Sequence, residues 1–412
     1  MEVAGKRKVL VIGDDMRIFL AVARSLGRAG LEVHAVPFDA RSPALKSRYV
    51  AKIHGLPGIA DNTALWIAGL LEILGGGPYD LVIPCCERAI IAIDMHRGKF
   101  ANYKMAMPNP AMIAALFDKE NTHALCLDLG IPVVGEFKLA EDTSAGELGA
   151  RLSYPLVLKP RKSYWTDRLE TWGKVFIPGS ERELEEILGV IGDRTRYLAQ
   201  CYFEGAGVGV SVLARDGRIL QAFQHRRLRE RQGGVSTCRI SEAVNPELLE
   251  ACAKICARTD ITGVSMFEFR IDLASRKWVL IEVNARLWGS MPLPLSLGVD
   301  FPVLLYDLLV DGREHPAAAY REGAVSRNLM LDGVELLSRL GKLRRHSALP
   351  WCRDVGGFLL QPLRWLTGAE RSDSFVRDDL RPAFGEIAAV LRQLLHRKRR
   401  PAAQRLPQAG VR

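Results

Sequence analysis

The sequence lacks several features that would assign it to common classes of protein. Its eight cysteines include no C-x-x-C pair, whereas structural zinc sites need paired ligands at short, fixed spacings. No apolar run reaches the roughly 18–20 residues that span a bilayer. The N-terminus passes through Lys6, Arg7 and Lys8 straight into a short strand, without a secretory leader. These absences predict a cytoplasmic protein with reduced thiols and no metal–thiolate site.

The first strand also lacks the glycine pattern of dinucleotide-binding proteins. Residues 8–13 (KVLVIG) form an apolar strand, and the turn continues with Asp14 and Asp15 in place of G-x-G-x-x-G. Apolar strands alternate with helices from there to about residue 108, which predicts a parallel, doubly wound α/β sheet. We therefore expect a Rossmann-like N-terminal lobe that does not bind NAD.

From about residue 118 the pattern changes to antiparallel strands with flanking helices. Asp216-Gly217 lies between two apolar strands and is a strong hairpin signal. Val264–Leu273 and Trp278–Asn284 predict a second hairpin. This half of the chain is therefore predicted to be α+β. Beyond Gly312 only two helices are indicated, which predicts a helical C-terminal extension.

The formal net charge of +10 is uneven, because residues 396–412 hold six Lys or Arg residues and no acid. Such a run predicts a solvated, disordered tail. Nucleic-acid binding is not favoured, since no aromatic residues that could stack on bases interleave with the basic ones. The apolar segment Gly356–Leu366 precedes the tail. Packing against the body is favoured for it, and peripheral membrane contact is the alternative.

Two neighbouring strands carry oxygen-bearing side chains in apolar surroundings. Glu268 lies between Phe267 and Phe269, and Glu282 and Asn284 lie two apart on the next strand, so both point to one sheet face. Burying two carboxylates and an amide without partners is costly. A hard cation such as Mg²⁺ would offset that cost. The alternative is a solvated strand face, which the apolar residues around Glu282 disfavour.

Two lysines stand where a positive charge suits a polyanion. Lys159 ends an apolar strand and precedes Pro160, so its ammonium can neutralise triphosphate charge at the mouth of a cleft. Lys119 begins a helix, where a cation is electrostatically unfavourable, and this misfit suggests a function. For either lysine taken alone, a solvated surface charge is the alternative.

A basic cluster further along the chain is a candidate substrate site. Arginine can hold a carboxylate through two parallel hydrogen bonds, and glycine lets backbone N–H groups approach an anion closely. A solvated basic turn explains the same pattern equally well. The candidate substrate residues are Arg226, Arg227, Gly234, Ser236 and Arg270.

Five segments, taken in order, resemble the ATP-grasp superfamily. They are Asp118-Lys119 with the helix end Leu129–Pro132, the strand Tyr154–Pro160, the stretch Gln200–Gly205, the triplet Phe267–Phe269, and Glu282–Arg286. Their order and spacing are most similar to those of carboxylate–amine ligases and of the large subunit of carbamoyl-phosphate synthase. The resemblance covers roughly residues 8–312.

The resemblance implies ATP and Mg²⁺ as cofactors, with Mn²⁺ as an alternative ion. Lys119 and Lys159 would hold the ATP phosphates, and the three oxygen-bearing side chains named above would ligate the metal. Arg286 would stabilise the transferring phosphoryl group, which makes Arg286 and Lys159 the implied catalytic residues. The hinge strand that meets the adenine would comprise Gln200, Cys201, Tyr202, Phe203 and Glu204.

The resemblance also implies a division of the chain. Residues 1–115 would form a pre-ATP-grasp domain, and residues 116–312 the ATP-grasp domain, with a small lobe at about 134–200 and a large lobe in the remainder. Residues 313–395 would form the helical extension and residues 396–412 the basic tail. A homodimer through the N-terminal lobe is common among similar proteins and is left open here.

The function that these expectations favour is a ligase that uses Mg·ATP to activate a carboxylate as an acyl phosphate and couples it to an amine. Phosphoryl transfer needs cations where negative charge spreads over the phosphoryl oxygens, and it needs water excluded from the reactive intermediate. One alternative is phosphorylation of a carboxylate or bicarbonate as in carbamoyl-phosphate synthesis, although no glutaminase-type Cys/His pattern supplies ammonia. The other is a non-catalytic ATP-binding regulatory protein, which the intact set of metal ligands disfavours.

Overall fold

The computed structural model describes residues 7–165, 169, 173–231, 234–340 and 355–399. Within these ranges the chain forms three β-sheets with helices packed on them. All the cysteines of the described ranges are free thiols. No helix in this part of the chain is long and apolar enough to cross a bilayer.

The N-terminal sheet is parallel, as the sequence predicts. Its elements are β1 (Lys8–Ile12), α1 (Ile18–Arg28), β2 (Glu32–Val36), β3 (Val50–Ile53), α2 (Thr63–Gly75), β4 (Leu81–Pro84) and α3 (Glu87–Asp94). The strand order is β3-β2-β1-β4. β1 and β4 are almost wholly buried, since helices and neighbouring lobes cover both faces of a parallel sheet. Short 3₁₀ helices lie at Pro43–Lys46 and Arg97–Phe100.

Two details of this sheet differ from the predictions. β3 is an edge strand that is exposed from Ala51 to Ile53, so no buried apolar run signals it in the sequence. The alternation of strands and helices is predicted to run to about residue 108, but at its end only one bridge forms, between Met105 and Val82. Pro108 has no N–H to extend a ladder, which explains why pairing stops.

The second sheet is small and antiparallel, in the order β5-β7-β6. Two helices, α4 (Pro110–Leu116) and α5 (Lys119–Asp128), lead into it. Asp118 caps α5 by accepting a hydrogen bond from the Glu120 N–H, which is a favoured helix start. The other elements are β5 (Glu136–Lys138), α6 (Ala145–Leu152), β6 (Leu156–Pro160), α7 (Glu181–Leu188), a 3₁₀ turn (Arg194–Arg196) and β7 (Tyr197–Cys201).

The third sheet is the largest and runs in the order β12-β11-β8-β9-β10-β13-β14. Its first elements are β8 (Ala206–Arg215), β9 (Arg218–Glu230), β10 (Ser236–Glu242), α8 (Pro246–Thr259), β11 (Gly263–Ile271), β12 (Trp278–Asn284), α9 (Pro292–Ser296) and α10 (Phe301–Asp311). Both predicted hairpins are confirmed. In the first, Asp216 and Gly217 have φ values of 48° and 75°, as a tight two-residue turn requires.

The C-terminal region is partly helical, as predicted, and it also extends the large sheet. Its elements are β13 (Val325–Arg327), α11 (Leu329–Leu340), a helix at Gln361–Leu366, β14 (Glu370–Ser372) and a last helix at Arg381–Arg399. β13 pairs with β10, and β14 pairs with β13. The sheet therefore continues past residue 312, where the sequence predicts that the ATP-grasp domain ends.

The apolar segment Gly356–Leu366 is helical over most of its length. Leu359 is 70% exposed and Leu363 is 59% exposed, so packing against the body covers this segment only in part. The basic tail predicted for residues 396–412 begins inside the last helix, and the rest of it lies outside the described residues.

Candidate active site

The three predicted metal ligands lie together on one face of the large sheet. Glu268 on β11 is the direct cross-strand partner of Glu282 on β12, and Asn284 follows two residues later on the same strand. The Asn284 Nδ2 donates to Glu268 Oε1 at 3.1 Å. Phe267 and Phe269, which flank Glu268, are buried on the opposite face. Strand alternation and register therefore bring the three oxygen-bearing groups to one place.

Glu282 lies between two ammonium groups from different parts of the chain. Lys119 Nζ, at the start of α5, is 3.5 Å from Glu282 Oε1. Lys159, on β6 of the small sheet, donates to the Ile281 carbonyl at 3.4 Å. Burial would raise the pKa of Glu282, but the charges of Lys119, Lys159 and Arg286 outweigh burial and hold this pKa below its ordinary value. Glu282 is therefore a carboxylate that is ready to bind a cation.

Lys159 is buried, with only 5% of its surface exposed. Burial and the neighbouring Lys119 ammonium lower the pKa of Lys159 to about 8, against the opposing attraction of Glu282. Two close ammonium groups near one carboxylate leave an excess of positive charge at this point. A polyanion would relieve their repulsion, which makes the place suitable for phosphate oxygens.

Arg286 is held by an acid that the sequence analysis missed. Its Nε and Nη2 donate to Glu87 Oε1 at 3.0 and 2.9 Å, and its Nη1 donates to the Leu287 carbonyl. Glu87 begins α3, directly after β4 of the N-terminal sheet. Carboxyl ends of parallel strands are where ligands bind in such sheets. The N-terminal lobe thus holds in place the guanidinium for which the resemblance implies a role at the phosphoryl group.

The predicted hinge residues occupy the end of β7 and the loop after it. Gln200 is buried, and its Nε2 donates to Glu136 Oε2 on the neighbouring β5. Gln200 also lines a small cavity between the lobes together with Lys119 and Glu282. Cys201 ends the strand, Phe203 is half-buried, and Tyr202 and Glu204 are exposed. Glu136 is an acid beside the hinge that the sequence analysis did not single out.

Arg226, a predicted substrate residue, lies on the face of the large sheet opposite Glu268. Arg226 pairs across strands with Val208, whose side chain is in the core on the face opposite Glu268. Its guanidinium is bound to Glu242 on β10. Neighbouring residues of a strand point to opposite faces, so Arg226 and Arg227 cannot hold one substrate together.

The remaining substrate candidates are engaged with protein groups. The Arg227 side chain is 8% exposed and binds Glu268 and the Gly234 carbonyl. Arg270 binds Glu230 and the Gly205 carbonyl. The Ser236 hydroxyl donates to the Cys238 carbonyl at 3.4 Å. Of these candidates, Arg227 is the one that touches a predicted metal ligand, Glu268. It supplies the positive charge that Glu268 requires when no cation is bound.

Two glycines on β8 create room on the site face, a signal that the sequence analysis did not use. A Cβ on Gly209 would collide with the His225 ring, and a Cβ on Gly207 would collide with Glu230 and Arg227. Both glycines lie on the same face as Glu268.

Burial and the charges of Arg227 and Arg239 keep the pKa of His225 well below its ordinary value, so this imidazole is neutral.

Arg17 is another residue that the sequence analysis missed. Its guanidinium lies against Gly289, where a Cβ would come within 2.9 Å of Nη1. Burial lowers the pKa of Arg17, against the attraction of Asp15 and Asp373. In the described part of the chain, this guanidinium makes no hydrogen bond or ion pair. A half-buried cation without a partner is costly and is suited to an anionic ligand.

The donor set fits a hard divalent cation. Two carboxylates and an amide oxygen are the ligand types that Mg²⁺ takes, with phosphate oxygens and water in its other positions. Glu268 and Glu282 share one face, and the Asn284 carboxamide is in contact with one of them. Glu282 is charged, for the reason given above.

Part of the chain matches a known protein family. Residues 193–329 match the model of the family described as ATP-grasp in the biosynthetic pathway with Ter operon. This stretch includes β8 to β12, which carry all three predicted metal ligands, and it also includes Arg286.

Solved structures resemble the chain over a longer range. The N5-carboxyaminoimidazole synthetase of Staphylococcus aureus, complexed with ADP, is 18% identical and has a TM-score of 0.61, over 81% of this chain and 85% of that one. The L-amino acid ligase of Bacillus licheniformis is 18% identical, with a TM-score of 0.55, over 76% of this chain and 78% of that one. A third structure is the biotin carboxylase domain of the Hydrogenobacter thermophilus 2-oxoglutarate carboxylase, in complex with MgADP and bicarbonate. It is 16% identical, with a TM-score of 0.59, over 77% of this chain and 73% of that one.

Identities this low establish the fold alone, and the fold agrees with the family match and with the order of the five sequence segments. The chain therefore has the fold of ATP-grasp enzymes, and its residues 193–329 match an ATP-grasp family.

Proposed function

We propose that this protein is a ligase that uses Mg·ATP to activate a carboxylate as an acyl phosphate and couples it to an amine. The observation that carries the proposal is the position of Glu282. It is opposite Glu268 on one sheet and next to Lys119, while the buried Lys159 reaches its strand from the other lobe. This arrangement combines metal ligands and phosphate-binding cations in one cleft.

In this proposal the two lobes bind ATP by charge. Lys119 and Lys159 would neutralise phosphate oxygens, and Gln200, which lines the same small cavity as Lys119, would contact the base. Glu268, Glu282 and Asn284 would hold Mg²⁺, or Mn²⁺ as an alternative ion. The metal supplies Lewis-acid stabilisation of charge on the phosphoryl oxygens.

The proposed reaction has two steps. A substrate carboxylate oxygen attacks the γ-phosphorus of ATP, the bond to the β,γ-bridging oxygen breaks, and ADP leaves. The amine then attacks the acyl carbon, phosphate leaves, and the amine proton passes to solvent. Arg286 is oriented by Glu87, so it can stabilise the transferring phosphoryl group without reorganising during the reaction.

Arg17 is proposed to bind the substrate carboxylate. It projects from the N-terminal lobe toward the segment that follows Arg286, and it lacks a protein partner among the described residues. Guanidinium binds carboxylates through parallel hydrogen bonds. We expect Arg17→Gln to raise the KM for the carboxylate about 10-fold to 100-fold, the loss of one charged hydrogen-bonded contact, while the Kd for ATP stays unchanged.

Steady-state kinetics with the carboxylate varied, and a separate ATP titration, would measure this effect. Arg28→Gln is the matched control, because Arg28 ends the same helix and is paired with Asp378. An unchanged KM for the carboxylate in Arg17→Gln would assign Arg17 to another role.

The affinity for ATP should depend on the protonation of Lys159. Its pKa of about 8 in the free protein means that Lys159 loses its charge as the pH rises through 8. Phosphate oxygens favour the charged form, so binding of ATP should take up a proton above this pH. We expect the Kd for ATP to increase as the pH rises above 8. Calorimetry in buffers of different ionisation enthalpy measures both effects, and binding that is independent of pH would contradict this assignment.

The reaction is tested by a screen for ADP release over a matrix of carboxylates and amines with Mg²⁺ present, followed by mass spectrometry of positive wells. We expect ADP and phosphate to form only when a carboxylate is present, and an amide to form when an amine is added. Glu282→Gln protein prepared in the same way controls for contaminating ATPase activity.

The screen also separates the alternatives. ADP release with bicarbonate and ammonia alone would favour chemistry like that of carbamoyl-phosphate synthesis. Binding of ATP without ADP from any mixture would favour a non-catalytic, ATP-binding regulatory protein and would contradict the proposal.

A further inference from the structure

A cluster of imidazole and phenol groups lies in the N-terminal lobe, outside the ATP site. His34 and Glu32 share one face of β2, since they are two residues apart. His54 directly follows β3, and Tyr79 precedes β4. α2 covers this face of the sheet, and its Glu72 lines the same cavity as His34, His54 and Tyr79. Four separate segments therefore bring their side chains to one place.

The donor atoms of this cluster converge on one another. His34 Nδ1 is 2.8 Å from the Tyr79 hydroxyl and 3.2 Å from His54 Nε2. The Tyr79 hydroxyl is 3.1 Å from His54 Nε2. The three atoms thus form a nearly equilateral triangle. Hydrogen bonds along two sides of this triangle would satisfy all three groups. The third close contact therefore needs another explanation.

The contact with Glu32 determines which ring nitrogen of His34 carries the proton. Its Nε2 is 2.8 Å from Glu32 Oε1, and a carboxylate can only accept a hydrogen bond. The neutral ring must therefore carry its proton on Nε2, which leaves a lone pair on Nδ1 facing Tyr79 and His54. A carboxylate on the far nitrogen is the usual support of a metal-binding histidine.

We propose that His34 Nδ1, His54 Nε2 and the Tyr79 oxygen bind a divalent transition-metal ion of the zinc type. Sides of 2.8, 3.1 and 3.2 Å allow an ion about 1 Å above the triangle to lie about 2 Å from all three donors, which is the zinc–ligand distance. Imidazole suits such ions better than it suits Mg²⁺. Among the described residues no three His, Cys, Asp or Glu side chains form such a group, so the phenol is required as the third donor.

The surroundings leave space for a fourth ligand and balance the charge. The cluster opens into a cavity of about 410 Å³, which admits water. Lys8 and Lys52 add positive charge to the lining, and Glu72 in the same lining offsets it. Glu32 adds a second negative charge next to His34. Lys8 Nζ is 3.9 Å from Glu32 Oε1, so this lysine is partly neutralised. Three protein donors and one water make a four-coordinate site of the kind that zinc adopts.

The test is calorimetric titration of the full-length protein with Zn²⁺ in excess Mg²⁺, so that the oxygen-ligand site between the lobes is occupied. We expect one zinc ion per chain, with release of protons because the phenol must ionise. His54→Gln should abolish this binding, and Glu32→Gln should weaken it about 10-fold to 100-fold. His96→Gln, in the same lobe but bound to the Ala92 carbonyl, is the control and should bind zinc normally.

A spectroscopic measurement identifies the third donor. With Cu²⁺ as the probe, we expect a tyrosinate-to-metal charge-transfer band that Tyr79→Phe removes. Zinc uptake that is absent in the wild type, or equal in the wild type and His54→Gln, would overturn the proposal. Binding of ATP by each variant verifies its fold, and neither outcome bears on the proposed ligase activity.

Discussion

Replacing Glu282 with Gln is expected to lower the rate of ADP formation about a hundred-fold or more, since loss of a mere supporting group at a metal site already costs about 10-fold to 100-fold. Glu282 is the carboxylate that Lys119 and Lys159 keep charged, and the substitution removes that charge while it preserves the shape of the side chain. The metal would lose a ligand, and the two ammonium groups would lose their shared counter-ion. ADP release with saturating Mg²⁺, ATP and substrates measures the effect.

Glu242→Gln is the matched control for this experiment. Glu242 is also a partly buried glutamate of the large sheet that is paired with a cation, Arg226, but it lies on the face opposite Glu268. It should retain full activity. Wild-type turnover by a folded Glu282→Gln variant would show that the metal ligands have been assigned to the wrong residues.

Replacing Lys159 with Met is expected to reduce kcat/KM for ATP by about 10²-fold to 10³-fold, the typical cost of losing one preorganised charge partner in the transition state. Lys159 is buried, so an apolar side chain of similar length fits the same space. Removing this ammonium also relieves its repulsion with Lys119, and the variant should therefore remain folded. Steady-state kinetics with ATP varied, together with a thermal melt, gives both quantities.

Lys138→Met is the control for Lys159. Lys138 lies on β5 of the same small sheet, is largely exposed and pairs with Glu120, so its loss should change neither kcat nor KM. If Lys159→Met and Lys138→Met both kept wild-type kinetics, the small lobe would not contact the phosphates in the proposed way.

The sequence alone predicts the structural features that depend on local periodicity. Two-residue alternation placed Glu282 and Asn284 on one face, and the hairpin to β11 brought Glu268 beside them. The Asp216-Gly217 turn fixed the pairing of β8 with β9. Each of these features is determined by residues that are close in the chain, and short-range rules of turn and strand geometry describe such features well.

Features that depend on contacts between distant segments were not predicted. Arg286 and Glu87 are 199 residues apart, and no local pattern marks a glutamate after β4 as the partner of an arginine in another lobe. Glu136 is a partner of Gln200 only through the pairing of β5 with β7. Arg17 stands out only once its burial and its lack of a partner among the described residues are known.

Two differences between sequence and structure have clear physical causes. The sequence predicts Arg226 and Arg227 together as substrate residues because arginine can hold a carboxylate, but alternation along a strand places neighbouring side chains on opposite faces. The two short strands β13 and β14 have three residues each, and such strands carry too few alternating residues to be recognised. They form because β10 offers an unpaired edge, which is a property of the assembled sheet.

The central claim is that one cleft binds ATP and a divalent metal together through Glu282 and the two lysines. Calorimetric titration with a non-hydrolysable ATP analogue, with and without Mg²⁺, tests it most directly. We predict one site per chain, tight binding only when Mg²⁺ is present, and loss of this dependence on Mg²⁺ in Glu282→Gln. Equal affinity with and without the metal, or no binding of the analogue to the wild type, would contradict the account.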